Sequence, residues 1–178
     1  MSVARAEALL LTPGAGSDRD NTTLVALDEG LDLAVSRIDL RSRSVDKCVA
    51  IIAEAAELLA ESAGVTLDRV AIGGRSFGGR MCSIAASRHL GIAALVLLSY
   101  PLHPPGKPDQ LRTDHFGDIT VPTLFVSGDR DPFGTPAEFD THVGAIAGPV
   151  DRVWLAGATH DPKKHIPDIV TSVAAWLA

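Results

Sequence analysis

The sequence is poor in cysteine and has no cysteine pattern that could build a covalent framework. Cys48 and Cys82 are the only two in 178 residues, and they form no Cys-x-x-Cys pair. This spacing argues against a disulfide-stapled fold and gives no indication of a metal site such as a zinc centre. We expect both cysteines to be small buried side chains.

Long apolar runs are also absent. No segment approaches the length needed to span a bilayer, and residues 1–7 contain no uninterrupted apolar stretch. We therefore expect no signal peptide, no membrane partner and a cytoplasmic location. With 46% hydrophobic and 21% charged residues, the composition is typical of a globular protein, and the length predicts a single domain over residues 1–178.

Neither sign of charge is concentrated in long blocks. The net charge is −6 and the sequence pI is about 5.4. Arg37, Arg41, Arg43 and Lys47 form the one basic cluster, which a solvated loop and helix start explain equally well. Because phosphate binding needs a clustered basic face, we expect no nucleic-acid partner.

Short apolar segments alternate with amphipathic ones along the whole chain, and there is no internal repeat. Strands are predicted at Glu7–Leu11, Asp32–Ile38, from Arg69 towards the next glycines, Ala93–Leu98, Thr123–Ser127 and Asp151–Leu155. Helices are predicted from Asn21 or Thr22 to Glu29, and at Asp46–Ala63, Phe77–Leu90, Pro136–Ile146 and Lys164–Leu177. The alternation predicts an α/β fold, a three-layer α/β/α sandwich around a mostly parallel sheet of about six strands. Ligands of such sheets bind at the carboxyl ends of the strands.

One turn at such a strand end has a specific pattern. Residues 74–78 read Gly-Arg-Ser-Phe-Gly, which matches G-x-S-x-G between a buried strand and a helix. A serine on so sharp a turn has strained backbone angles, and side chains two residues to either side would collide with neighbouring backbone. Ser76 is therefore a candidate nucleophile, although the pentapeptide also occurs by chance in ordinary glycine-rich turns.

A serine nucleophile needs a base and a carboxylate to orient that base. His160 follows the last predicted strand, where the chain order serine, acid, histidine puts the base. The acid should follow the fifth strand, where Asp129 and Asp131 both occur; we favour Asp131 and interpret Asp129 as a turn former. His103 and His115 precede both acids and are poor candidates for the base. Asp161 is interpreted as a cap of the last helix or turn.

The loop after the first strand admits two interpretations. Backbone N–H groups of Phe77 and of Gly14 or Ala15 could stabilise an oxyanion, whereas Pro13 has no N–H to offer. The same glycines partly match the dinucleotide fingerprint G-x-G-x-x-G, but Arg19 occupies the third glycine position. We therefore do not expect nucleotide binding, and no cofactor is predicted.

Five segments carry a family resemblance that covers nearly the full length. They are T-P-G-A-G from Thr12, G-G-R-S-F-G-G-R from Gly73, Y-P-L-H-P-P-G-K-P from Tyr100, G-D-R-D-P-F-G from Gly128 and G-A-T-H ending at His160. In these segments the chain resembles a minimal α/β-hydrolase without a cap domain, similar to dienelactone hydrolases. More narrowly, it resembles the group that includes testis-expressed hydrolase-like proteins and a subunit of the nuclear NSL acetyltransferase complex.

The resemblance implies a nucleophile at Ser76, an acid at Asp131 and a base at His160. Dienelactone hydrolases use a cysteine nucleophile, so their substrate does not follow for this chain. We expect an esterase-like serine hydrolase of small ester or acyl substrates, a monomer or homodimer, with Arg75, Tyr100 and His103 lining the substrate pocket. The alternative is a weakly catalytic or non-catalytic protein-interaction module on the same scaffold.

Overall fold

The computed structural model describes residues 6–178. Residues 1–5, on which the expectation of no signal peptide largely rests, lie outside the described part. No helix within residues 6–178 is long and apolar enough to cross a membrane.

Within residues 6–178, six strands form one sheet. They are β1 (Ala8–Thr12), β2 (Ala34–Arg37), β3 (Val70–Arg75), β4 (Ala94–Leu98), β5 (Thr123–Gly128) and β6 (Val150–Leu155). Their order is β2-β1-β3-β4-β5-β6, and every neighbouring pair is parallel. The four central strands are apolar on both faces because helices cover both sides of the sheet. The predicted fold class and the strand number are confirmed.

In the part of the chain that the structure describes, five α-helices cover the two faces of the sheet. They are α1 (Thr22–Gly30), α2 (Val45–Ala63), α3 (Phe77–Ser87), α4 (Pro136–His142) and α5 (Ile166–Leu177). Helices α2, α3 and α4 pack on one face around a core that includes Ile52, Met81 and Phe139. Helices α1 and α5 pack on the other face, around residues such as Leu27 and Val173. Both cysteines are free and buried in the first of these cores, as predicted.

Helix ends follow local chemistry that the sequence shows only in part. Of the two predicted starting residues, Asn21 and Thr22, it is Asn21 that caps α1, and its side chain accepts a hydrogen bond from the backbone N–H of Thr23. Helix α3 ends three residues before the predicted Leu90, and His89 beyond it adopts a left-handed φ of 60°. Helix α4 ends at His142 and continues as a 3-10 turn. Asp161 caps neither α5, whose N-cap residue is His165, nor the 3-10 turn before it, whose N-cap residue is Pro162, so the interpretation of Asp161 as a cap is wrong.

The long segment between β4 and β5 is a loop, as expected, and its interior is anchored. The Tyr100 hydroxyl donates to the carbonyl oxygen of Arg112 at 2.8 Å, and the Arg112 N–H donates to the carbonyl of Leu102 at 2.8 Å. The Tyr100 ring packs against Phe116 and Phe125 with centroids 5.5 Å and 5.7 Å apart. These contacts fold the loop back onto the sheet end that carries the candidate nucleophile.

Candidate active site

Ser76 lies on a strained turn between β3 and α3. Its φ is 51° and its ψ is −115°, a combination that non-glycine residues rarely adopt. The backbone is held there because the Ser76 N–H donates to the carbonyl of Leu98 at 2.8 Å. The Ser76 carbonyl in turn accepts the first intrahelical hydrogen bond of α3, from Arg80 at 3.0 Å.

The glycines on either side of Ser76 are required by close backbone packing. A Cβ atom on Gly74 would lie 2.6 Å from the carbonyl oxygen of Thr12, and one on Gly78 would lie 2.7 Å from the same oxygen. Real Cβ atoms essentially never come within 3.0 Å of another heavy atom in this way. The end of β1 therefore presses against the turn from below, which leaves the Ser76 side chain on the open side.

Three side chains from different strand ends are joined by hydrogen bonds. The Ser76 Oγ lies 2.9 Å from His160 Nε2. His160 Nδ1 lies 2.8 Å and 3.0 Å from the two carboxylate oxygens of Asp131. If Nδ1 carries the proton that Asp131 accepts, Nε2 is free to accept a proton from the serine.

Burial and further contacts hold the acid and the base in place. The Asp131 side chain is only 1% exposed, and one of its oxygens also accepts the backbone N–H of Phe133 at 2.9 Å. The Phe133 ring stacks on the His160 ring at a centroid distance of 3.9 Å. Asp129 instead accepts the N–H of Gly157 at 2.7 Å, which ties together the two loops that carry Asp131 and His160.

Arg75 binds the loop that carries His160. Its guanidinium donates to the carbonyl of His160 at 2.9 Å and to the carboxylate of Asp161 at 2.9 Å. Asp161 also contacts Lys163 at 3.3 Å, so its carboxylate serves ion pairs rather than a helix end. Arg75 thus links the strand before the serine to the loop of the histidine.

A cavity of about 340 Å³ opens directly onto these groups. It is lined by Ser76 and His160, which share a hydrogen bond, and by the residues predicted to stabilise an oxyanion. Its lining residues are Gly14, Ala15, Arg75, Ser76, Phe77, Arg80, Pro101, Arg112, Phe133 and His160. The first-turn N–H groups of α3, including that of Phe77, have no intrahelical partner.

A family model described as an alpha/beta hydrolase domain matches residues 5–174. The chain belongs to this alpha/beta hydrolase family. Solved structures agree with that assignment at the level of the fold. Est1E from Butyrivibrio proteoclasticus has 18% identity and a TM-score of 0.80, with 98% of this chain and 88% of that chain covered. A dienelactone hydrolase from Anabaena variabilis has 19% identity and a TM-score of 0.79, with coverage of 96% and 85%. A thermophilic esterase from Thermogutta terrifontis has 19% identity and a TM-score of 0.74, with coverage of 98% and 90%.

Two of the predicted pocket residues lie elsewhere in this alpha/beta hydrolase. Tyr100 is fully buried in the aromatic core, and burial raises the pKa of its hydroxyl. His103 is 4% exposed and contacts the carbonyl of Pro104 and the carboxylate of Glu138. Neither side chain lines the cavity, which corrects the expectation for both residues, whereas Arg75 does line it. The loop turns inward because burying the aromatic ring of Tyr100 in the core stabilises the fold more than leaving that ring at the edge of the cavity.

Three residues at the site of the hydrolase were missed in the sequence. Thr12 lies under the turn, where its hydroxyl donates to the carbonyl of Gly73 at 3.0 Å. Arg80 and Arg112 line the cavity. Arg80 stands four residues after Ser76, a spacing that puts both on one helix face and could have identified it. Thr12 and Arg112 reach the site only through contacts distant in sequence.

Proposed function

We propose that this alpha/beta hydrolase cleaves a small carboxylic ester, or a related acyl compound, through an acyl-enzyme intermediate. The observation that carries the proposal is the continuous chain of hydrogen bonds from Ser76 Oγ through the His160 ring to the buried carboxylate of Asp131. The adjoining cavity is large enough for a small ester and is open to it at the serine.

In the first half of the reaction Ser76 Oγ attacks the ester carbonyl while His160 Nε2 accepts the hydroxyl proton. The developing oxyanion is stabilised by the backbone N–H of Phe77 and by an N–H of the Gly14–Ala15 segment. When the tetrahedral intermediate collapses, His160 returns the proton to the departing alcohol oxygen. An ester of Ser76 remains.

In the second half a water molecule attacks the acyl group, and His160 Nε2 accepts a proton from that water. Collapse releases the carboxylic acid and restores the Ser76 hydroxyl with the proton held by His160. Asp131 stays ionised throughout, because its role is to accept the Nδ1–H of His160 and to stabilise the imidazolium.

The test is Ser76→Ala, assayed with 4-nitrophenyl acetate and with a fluorophosphonate probe that labels activated serines. We expect kcat to fall by about 10⁴-fold or more and labelling to disappear; the oxyanion donors and substrate binding leave a small residual rate. Ser172→Ala is the matched control, because Ser172 lies on α5 and its hydroxyl donates to the carbonyl of Asp168. Labelling that survives in Ser76→Ala, or a kcat within about 10-fold of the wild-type value, would contradict the proposal.

A non-catalytic interaction module is the competing interpretation, and it predicts a histidine turned to solvent. His160 is instead bonded on both ring nitrogens, which supports the hydrolase. The narrower kinship with testis-expressed hydrolase-like proteins, the cytoplasmic location and the oligomeric state stay predictions.

A further inference from the structure

The cavity beside Ser76 is lined by three arginines, Arg75, Arg80 and Arg112. A pocket of about 340 Å³ that takes only neutral esters has no need of three guanidinium groups. The contacts of each arginine show which charges are already used within the protein.

The charge of Arg75 is balanced. Its guanidinium pairs with Asp161 at 2.9 Å and donates to the His160 carbonyl. Arg75 therefore acts mainly as a positioning residue for the loop that carries His160, and its ion pair needs no ligand.

Arg80 and Arg112 have no such balance. Within residues 6–178, neither guanidinium has a carboxylate within 4.0 Å, in contrast to that of Arg75, although the Nε atoms of Arg75 and Arg80 are both buried without a hydrogen-bond partner. Burial lowers the pKa of Arg112, and the like charge of Arg80 lowers it further. Asp114 and Asp118 are near enough to act on His115 but form no ion pair with either arginine. Both side chains are only partly buried, but two like charges in one cavity repel each other, and an anion that binds both removes this repulsion.

The position of Arg80 relates this charge to the reaction. Arg80 lies one helical turn beyond Ser76, and the two are connected by the hydrogen bond from Arg80 N–H to the Ser76 carbonyl. An anion held by Arg80 therefore lies a few bonds from an ester carbonyl at Ser76 Oγ. The first turn of α3 adds its own positive field at the same end of the helix.

We propose that the substrate of this enzyme carries a carboxylate that Arg80 and Arg112 bind, so that the enzyme prefers small acidic esters such as half-esters of dicarboxylic acids. This inference rests on the hydrolase activity proposed above. Hydrolysis then consumes water and releases the dicarboxylic acid and an alcohol. The planar guanidinium groups match the geometry of a carboxylate through paired N–H donors.

The kinetic test compares two substrates of equal acyl length, mono-4-nitrophenyl glutarate and 4-nitrophenyl valerate. We expect kcat/KM to favour the charged ester by about 10-fold or more. Arg80→Gln and Arg112→Gln should each lower the ratio of the two kcat/KM values by about 10-fold or more. Arg88→Gln is the matched control at the C-cap of α3, since Arg88 pairs with Asp46 at the surface, and it should leave the ratio unchanged.

The outcomes separate the two proposals. Loss of turnover in Ser76→Ala, together with a charged-to-neutral ratio that neither cavity arginine affects, would overturn the carboxylate site and leave the hydrolase intact. Turnover of both esters that survives in Ser76→Ala would overturn the proposed function instead.

A binding test does not depend on turnover. Glutarate at saturation should raise the melting temperature of the wild-type protein by about 3 °C or more, and of Arg88→Gln equally, but not of Arg80→Gln or Arg112→Gln. Inorganic phosphate is the second arm. Stabilisation by phosphate without stabilisation by glutarate, or stabilisation by neither, would overturn the assignment of a carboxylate.

Discussion

Asp131 has a specific role in the proposed mechanism, because its carboxylate sets which tautomer His160 adopts. In Asp131→Asn the amide can present an N–H to His160 Nδ1, which forces the ring into the tautomer whose Nε2–H cannot accept the serine proton. We expect kcat for a nitrophenyl ester to fall by about 10³-fold or more with KM changed by less than about threefold.

Asp129→Asn is the matched comparison for that variant, because Asp129 lies two residues away and its carboxylate contacts the N–H of Gly157. We expect it to lower the melting temperature while kcat stays within about threefold of wild type. A larger loss of kcat in Asp129→Asn than in Asp131→Asn would reverse the assignment of the acid.

His115 makes the stability of the protein depend on pH. Burial, and then the positive charge of Arg80, lowers the pKa of His115 to about 4 from an ordinary 6.5, and Asp114 and Asp118 oppose this shift in part. Between pH 6.5 and 4 the unfolded chain binds the proton and the folded protein does not, so the free energy of unfolding falls as pH falls. His115→Gln should flatten this dependence by about 1 to 2 kcal/mol, allowing for the partial exposure of the ring.

Urea unfolding at pH 7, 5.5 and 4.5 measures the effect. His142→Gln, on the partly exposed end of α4, is the control and should keep the wild-type slope. An unchanged slope in His115→Gln would mean that other groups cause the loss of stability in acid.

The candidate site residues that could be predicted from the sequence alone are those whose chemistry is tied to position along the chain. Ser76, Asp131 and His160 each follow a strand, and parallel strands end at one edge, so their proximity follows from the topology. Tyr100 and His103 were misplaced because the path of a long loop depends on which side chains it buries. Nothing in the order of residues 99–121 indicates that Tyr100 joins Phe116 and Phe125 in the core.

The turn between β3 and α3 is the element whose packing tolerates least change. Gly78→Ala would place a methyl group against the backbone of Thr12, which cannot move without displacing β1. We expect the free energy of unfolding to fall by about 3 kcal/mol. The rate of ester turnover should fall as well, because the same change shifts the turn that carries Ser76. Gly144→Ala, where a Cβ meets nothing within 4 Å, should change stability by less than about 0.5 kcal/mol, as measured in parallel urea titrations.

The strands could be predicted to within a few residues because their apolar runs are bounded by glycine, proline and aspartate. Helix ends were less accessible, since they depend on tertiary contacts. Helix α4 was predicted to Ile146, but only Phe139 within it is buried, and the chain tightens to a 3-10 turn so that Val143 and Ile146 can reach the core. Whether a helix continues or tightens to bury more side chains depends on the tertiary packing beneath it. The local sequence does not show that packing.

The two faces of the sheet carry separate apolar cores, and the central strands belong to both. Leu10 and Ile72 point into the core under α2 and α3, whereas Leu9 and Ala71 point into the core under α1 and α5. Adjacent residues of one strand pack into opposite cores. If one core comes apart, the strands it shares with the other core lose their packing as well. This arrangement predicts that residues 1–178 unfold as a single domain.

The two tryptophans allow each layer to be followed separately. Trp154 on β6 packs edge-to-face on Phe139 at 5.2 Å in the first core. Trp176 on α5 packs against the second core, and its indole N–H donates to Asp151 at 2.8 Å.

In Trp154→Phe and Trp176→Phe the remaining tryptophan reports on one layer, while circular dichroism reports on the helices of both. We expect the fluorescence and dichroism midpoints of each variant to agree within about 0.3 M urea. Midpoints that differ between the two probes of one variant would show that the layers unfold independently, and the single-domain prediction would then be wrong.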